Sequence, residues 1–139
     1  MTLLDTAPRL SIREPISTDG FVDAAWWPHS LELSTEIEPL LVELANRGRN
    51  ISRVIYNLDH WHNETRRLML GDHPVRFGGF REQDPLLVSL IESGGTRKRI
   101  DVLLIDPSTE PGVAAKALEL AGTAGDLLRP AEIMAAAQS

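Results

Sequence analysis

With no cysteine in the chain, the four histidines are the first residues to weigh as ligands and general bases. Disulfides and thiolate metal sites are excluded by the same absence. His60 and His62 form a His-x-His pair, and on an extended segment both rings point the same way. With Asp59 or His29 they would offer nitrogen and oxygen ligands to a metal. The pair lacks a spaced third ligand, so DHWHNET (Asp59 to Thr65) reads more simply as a solvated polar loop. His73 falls in an expected turn and is read as exposed.

Ser30 directly follows His29. A nucleophile needs a base that faces it, and sequence neighbours rarely do so at a helix start. Ser30 is better read as a helix cap. Asp23, Asp59 and Asp84 supply carboxylates for acid-base work, but sequence alone does not bring them together. The chain has no phosphate-cradling GxxxxGK[ST], no GxGxxG and no GxSxG. No catalytic residue, metal or cofactor is assigned.

Binding is the reading with most residues behind it. Trp26, Trp27, Tyr56, Trp61, Phe77 and Phe80 are six of the seven aromatics, and polar groups flank most of them. A surface of Asp23, Trp26, Trp27, His29, Tyr56, Asp59, Trp61, Arg76, Phe80, Arg81, Gln83 and Asp84 would have the composition of an interface or ligand pocket. The same aromatics would serve equally well as core.

These residues need elements to position them. Arg9 to Glu14 alternates around Leu10 and Ile12 as a half-buried strand does, and Pro15 ends it. Ser17 to Gly20 reads as a turn. A second strand follows from Phe21 to Trp27, which would send the adjacent tryptophans to opposite faces. Leu33, Ile37, Leu40, Leu41 and Leu44 then carry helical spacing. Pro39 predicts a kink or a restart inside that helix, and Arg47 and Gly48 are its stop signal.

Ile51 to Leu58 reads as a strand. Arg67 to Leu70 and Val75 to Phe80 read as a hairpin. Val88 to Glu92 is taken as a strand rather than part of a helix from Asp84 to Ser93, turning through Ser93, Gly94 and Gly95 into a central strand from Ile100 to Ile105. Pro111 to Leu120, stopped at Gly122, and Pro130 to Ala137, docked by Leu127, Leu128, Ile133 and Met134, complete the chain as helices.

The predicted class is α+β: a curved, mostly antiparallel sheet or partial barrel of about six or seven strands, with one long helix after strand 2 and C-terminal helices covering one side. Residues 1–139 form one expected domain: a loose leader over 1–8, a sheet-plus-helix core over 9–107, and C-terminal helices over 108–139.

Four blocks in this order, GFVDAAWWPHS, VIYNLDHW, VRFGGFREQDP and SGG before a basic and apolar strand, resemble a family of small uncharacterised actinobacterial proteins, a domain of unknown function. Its first block resembles Gly-x-x-Asp-Gly-Ala-Trp-Trp-Pro and its later one Gly-Gly-Phe-Arg-x-Gln-Asp-Pro. The resemblance covers residues 9 to 107 and implies one compact domain, with no known activity, cofactor or catalytic residue. Ala24 stands where a glycine is usual and His29 where an arginine is common, so any role of that arginine is in doubt here.

A net charge of −6 opposes non-specific attraction to phosphate backbones, which argues against a nucleic-acid partner. Arg97, Lys98 and Arg99 are the one dense basic run, read as a solvated strand edge that discourages aggregation, with a phosphate-contacting patch as the alternative. No apolar run approaches the length of a membrane span, and the first residues lack the pattern of a secretory signal, so the expected location is cytoplasmic. The function that follows is a non-enzymatic binding or regulatory domain for a protein partner or small ligand. One alternative is a small hydrolase-like or metal-assisted enzyme using His29, Asp23, Asp59, His60 and His62. Another is a homo-oligomer assembled through a sheet edge or the C-terminal helices.

Overall fold

The computed structural model describes residues 9–12, 22–93, 99–124 and 128–138. The leader over 1–8, the end of the first strand at Arg13 and Glu14, the Ser17 to Gly20 turn, Phe21, the Gly94-Gly95 turn, Arg97, Lys98 and the docking role of Leu127 lie outside them.

Seven strands and three helices follow in the order β1 (Leu10–Ile12), β2 (Ala24–Trp26), α1 (Leu33–Asn46), β3 (Ile51–Asn57), β4 (Arg67–Leu70), β5 (His73–Phe80), β6 (Leu87–Glu92), β7 (Arg99–Leu104), α2 (Pro111–Ala124) and α3 (Pro130–Ala137). All seven strands join one open sheet, ordered β1-β2-β7-β6-β3-β5-β4. The expected α+β class holds, but the sheet is mixed rather than mostly antiparallel and does not close. β2 runs parallel to β7, and β3 parallel to β5. The reason is connectivity. β4 takes the outer edge and returns β5 alongside β3 in the same direction, and β7 comes back beside β2 from the far end of the chain.

The helices also depart from expectation, because they occupy both faces. Leu33, Ile37, Leu40, Leu41 and Leu44 of α1 pack with Ala24, Trp26, Val54, Val88, Leu90, Ile100, Val102 and Leu104. Ala25 and Leu103, alternating with those strand residues, point the other way and pack with Ala114, Ala117 and Ala121 of α2 and Ile133 of α3. Small alanines let α2 sit close to β1 and β2.

α1 runs as one helix through Pro39, without the restart that was one of the two expectations there. The missing N–H and ring clash cost about 3 kcal/mol or more. Five fully buried aliphatic side chains, each contributing about 1.5–3 kcal/mol, outweigh that cost. The helix ends as predicted: Gly48 takes φ 81, its N–H reaches the Ala45 carbonyl, and the Arg49 N–H reaches that of Leu44. Its start lies later than expected. Ser30 does not cap it; Glu32 is the cap residue, without a side-chain cap bond. The Ser30 hydroxyl instead accepts the Glu32 N–H and donates to the Glu36 carboxylate.

The hairpin turn is shorter than expected. Leu70 pairs directly with His73, leaving Gly71 (φ 63) and Asp72 as a two-residue loop. His73 therefore begins β5 and is half-buried rather than exposed, with its Nε2 donating to the Ile51 carbonyl at 3.0 Å. No helix among the described residues is long and apolar enough to cross a membrane.

Candidate functional site

The double tryptophan does not form a surface. Trp26 is 1% exposed and stacks on Trp61, with ring centroids 5.4 Å apart and planes 17° apart. Both rings, with Tyr56, belong to the core under α1. Trp27 faces the opposite side, as a regular strand requires, and is half-buried there. The Arg9 guanidinium lies 3.7 Å above it, and its Nε1 donates to the Asp106 carbonyl. Arg9 also donates to the Trp27 and Pro28 carbonyls, latching the exit of β2.

The polar residues expected beside the tryptophans have structural tasks. Asp23 is buried, and its carboxylate accepts the Asp101 N–H at 2.9 Å. The Gln83 amide donates to the Leu87 carbonyl and the Ser89 hydroxyl. Asp84 accepts the Leu86 N–H. Asp59 and Arg81 meet at 3.4 Å, both exposed. His29 is exposed, and its N–H reaches the Glu36 carboxylate. Arg76 and Phe80 lie on the sheet face away from α1, apart from Trp26, Tyr56 and Trp61.

Nor does the His-x-His pair converge on a site. His62 Nδ1 sits 2.8 Å from Glu32 and Nε2 3.5 Å from Glu64. The hydrogen bond to Glu32 and the charges of Glu32 and Glu64 raise its pKa above the usual 6.5. His60 packs edge-on against Trp61. Among the described residues, no group of three or more histidine and carboxylate side chains is arranged to hold a metal ion. Asp106 is held below the ordinary carboxylate range, chiefly by hydrogen bonds from Ser108.

A different surface emerges from the strand register. On the face away from α1, α2 and α3 pack over the β1-β2-β7 end. That helical layer reaches β6 at Leu87; among the described residues, no helix packs on that face of β3, β5 and β4. Arg99 of β7 stands opposite Ile91 of β6, Ile91 opposite Arg53 of β3, Arg53 opposite Arg76 of β5, and Arg76 opposite Arg67 of β4. Directly paired residues share a face, so four arginines form one row across five adjacent strands. All four are exposed.

Only Arg99 has an acidic neighbour, with Asp101 at 3.2 Å. Arg53, Arg76 and Arg67 have no carboxylate within ion-pair distance among the described residues. Like charges placed directly opposite cost stability, and no carboxylate among the described residues pairs with these three to offset it.

The floor beside the row is graded. The next register row carries Asp101, Ser89, Ile55 and Gly78. The buried Ser89 hydroxyl donates to the half-buried Asp101 at 2.7 Å and fixes the carboxylate facing Arg99. A Cβ on Gly78 would lie 3.2 Å from the Phe80 ring and 3.5 Å from the Arg53 guanidinium, so both side chains lean over that glycine. A groove of about 700 Å³ is lined by Ser52, Arg53, Ile55, Ile91, Glu92, Ser93 and Arg99, and Glu92 pairs with Arg49 at 3.0 Å. Beyond Arg99 a second hollow of about 410 Å³ continues over Leu87 and Asp101 to the start of α3.

Sequence reasoning missed Arg53 and Arg67, and it read Arg99 first as a solvated edge, with a phosphate-contacting patch as the alternative. Each occupies an outward position of an expected strand, alternating with a core residue. That parity was legible; their alignment into one row was not, because it depends on register between strands distant in sequence.

Comparison with known proteins gives a family and no more. Residues 9–121 match the model of a family of unknown function, DUF5994, and the chain belongs to that family. No curated protein matches it. No solved structure matches it.

Proposed function

Family membership here assigns no activity, and from the geometry we propose that this protein is a non-enzymatic binding domain that holds an anionic ligand on the helix-free part of its sheet. The observation that carries this reading is the arginine row, with three of its members directly adjacent and without acidic partners. A sheet stabilised for its own sake would interleave opposite charges across strands. A bound anion removes the repulsion, so the cost in the free protein is recovered on binding.

The groove between Arg53 and Arg99 supplies what such a site needs: two guanidiniums that donate in a planar fork to carboxylate or phosphate, and an apolar floor of Ile91 and Ile55. Its volume lies in the range of small-ligand sites. The enzyme alternative has less behind it, since Ser30 is engaged by Glu36 and His62 by Glu32. Titration of sodium pyrophosphate into the isotope-labelled protein, followed by amide chemical shifts, tests the proposal. Saturable shifts at Arg53, Ile91 and Arg99 are expected; shifts confined to other faces, or none, overturn it.

A further inference from the structure

The row extends past the groove, and its extent says what kind of anion fits. We propose that the occupant is an acidic segment of a partner protein, bound in extended form across the strands with its carboxylates set against Arg99, Arg53, Arg76 and Arg67. This rests on the anion-binding reading above and narrows it.

Length is the first argument. From β7 to β4 there are four inter-strand gaps, about 19 Å in all, which is the span of about six extended residues. A single small anion placed between Arg53 and Arg99 leaves Arg67 unused and Arg76 still beside a like charge. Direction is the second argument. The row runs across the strands, so a helix lying along them would meet only one or two of its members. A chain crossing them meets all four.

The chemistry between the cations is the third argument. Ile91 lies within the row and Ile55 in the next, so side chains alternating with carboxylates would find an apolar floor. A phosphodiester strand would find few stacking partners, because Phe80 is the exposed aromatic on this face among the described residues.

The test uses a fluorescein-labelled, capped peptide of about six glutamates, its anisotropy followed on titration with the full chain. Saturable binding is expected at low salt, weakening toward about 0.15 M as screening grows. The combined substitution Arg53→Gln, Arg67→Gln and Arg76→Gln should weaken binding by about tenfold or more. Replacing the same residues by lysine should retain part of it, and Arg47→Gln on α1 should leave it unchanged. Circular dichroism of each variant confirms that it is folded.

Several results overturn the inference. One is pyrophosphate binding with no tighter binding of the peptide, which leaves the anion site standing. Another is an oligothymidylate binding as tightly as the peptide with the same arginine dependence. Arginine-dependent self-association in sedimentation of the protein alone would make a second copy the occupant. Failure of both pyrophosphate and peptide removes this inference and the proposed function together.

Discussion

Arg53 of β3 and Arg76 of β5 stand directly opposite each other in parallel register, on a face that no described helix covers, and neither has a carboxylate partner among the described residues. Arg67 extends the same arrangement on the other side of Arg76. Long flexible side chains in water blunt the repulsion but do not abolish it. The free protein should therefore be less stable than a version with the charge removed.

Arg76→Gln should raise stability by about 0.2–1 kcal/mol at low ionic strength, because Arg76 has a like charge on both sides. The gain should shrink as salt is added. Urea denaturation at two salt concentrations measures both effects. A loss of stability on substitution would mean that the guanidinium has a favourable contact absent from this arrangement.

The Trp26–Trp61 stack should behave as one structural unit. Either residue replaced by alanine should cost about 3–5 kcal/mol. A double-mutant cycle should show about 0.5–1.5 kcal/mol of coupling from the aromatic pair. Trp61 adds a distinguishing feature: its buried Nε1 has no acceptor among the described residues. Trp61→Phe removes that unsatisfied donor, which offsets about 1–3 kcal/mol of the packing loss. It should be clearly milder than Trp26→Phe in thermal or urea denaturation.

The two glycines of β5 should respond differently to alanine. A Cβ on Gly79 would sit 2.8 Å from Leu58 and 2.9 Å from the Tyr56 ring, which is held in the core. Gly79→Ala should cost about 1–3 kcal/mol through overpacking. At Gly78 the nearest atoms belong to Phe80 and Arg53, both exposed and able to swing aside. Gly78→Ala should be the milder change in stability yet disturb the arginine row, read as altered pyrophosphate-induced shifts.

His62 should titrate above its ordinary value of 6.5, because Glu32 accepts from it and Glu32 and Glu64 both favour its charged form. A pKa raised on folding contributes stability that is fully present below the unfolded value and lost as pH rises through the folded one. Glu32→Gln should bring the midpoint down in an NMR titration. It should also flatten the pH dependence of stability in the window just above pH 6.5. An unchanged midpoint would show that the Glu32–His62 contact does not persist in solution.

The helix α1 was legible because its five apolar positions repeat with helical period and Gly48 ends it, and both signals are local. The strands from β3 to β7 were legible for the same reason, as was the divergence of Trp26 and Trp27, which follows from the pleat of any regular strand. Membership of a family of unknown function was expected from the sequence, and the match over residues 9–121 bears it out. None of these depends on which strand lies beside which.

Everything decided by neighbourhood between distant segments had to wait for the tertiary structure. The parallel β2–β7 and β3–β5 pairs, and the placing of helices on both faces, come from long-range packing that no window of sequence contains. Whether the aromatic cluster was core or surface stayed open in the sequence, because polar residues adjoin it there; α1 turned Trp26, Tyr56 and Trp61 into core, and Arg9 lies over one face of a half-buried Trp27. The arginines, scattered along four strands of the chain, became one row only through register. A shift of one residue between strands would have broken the row and sent its members to opposite faces.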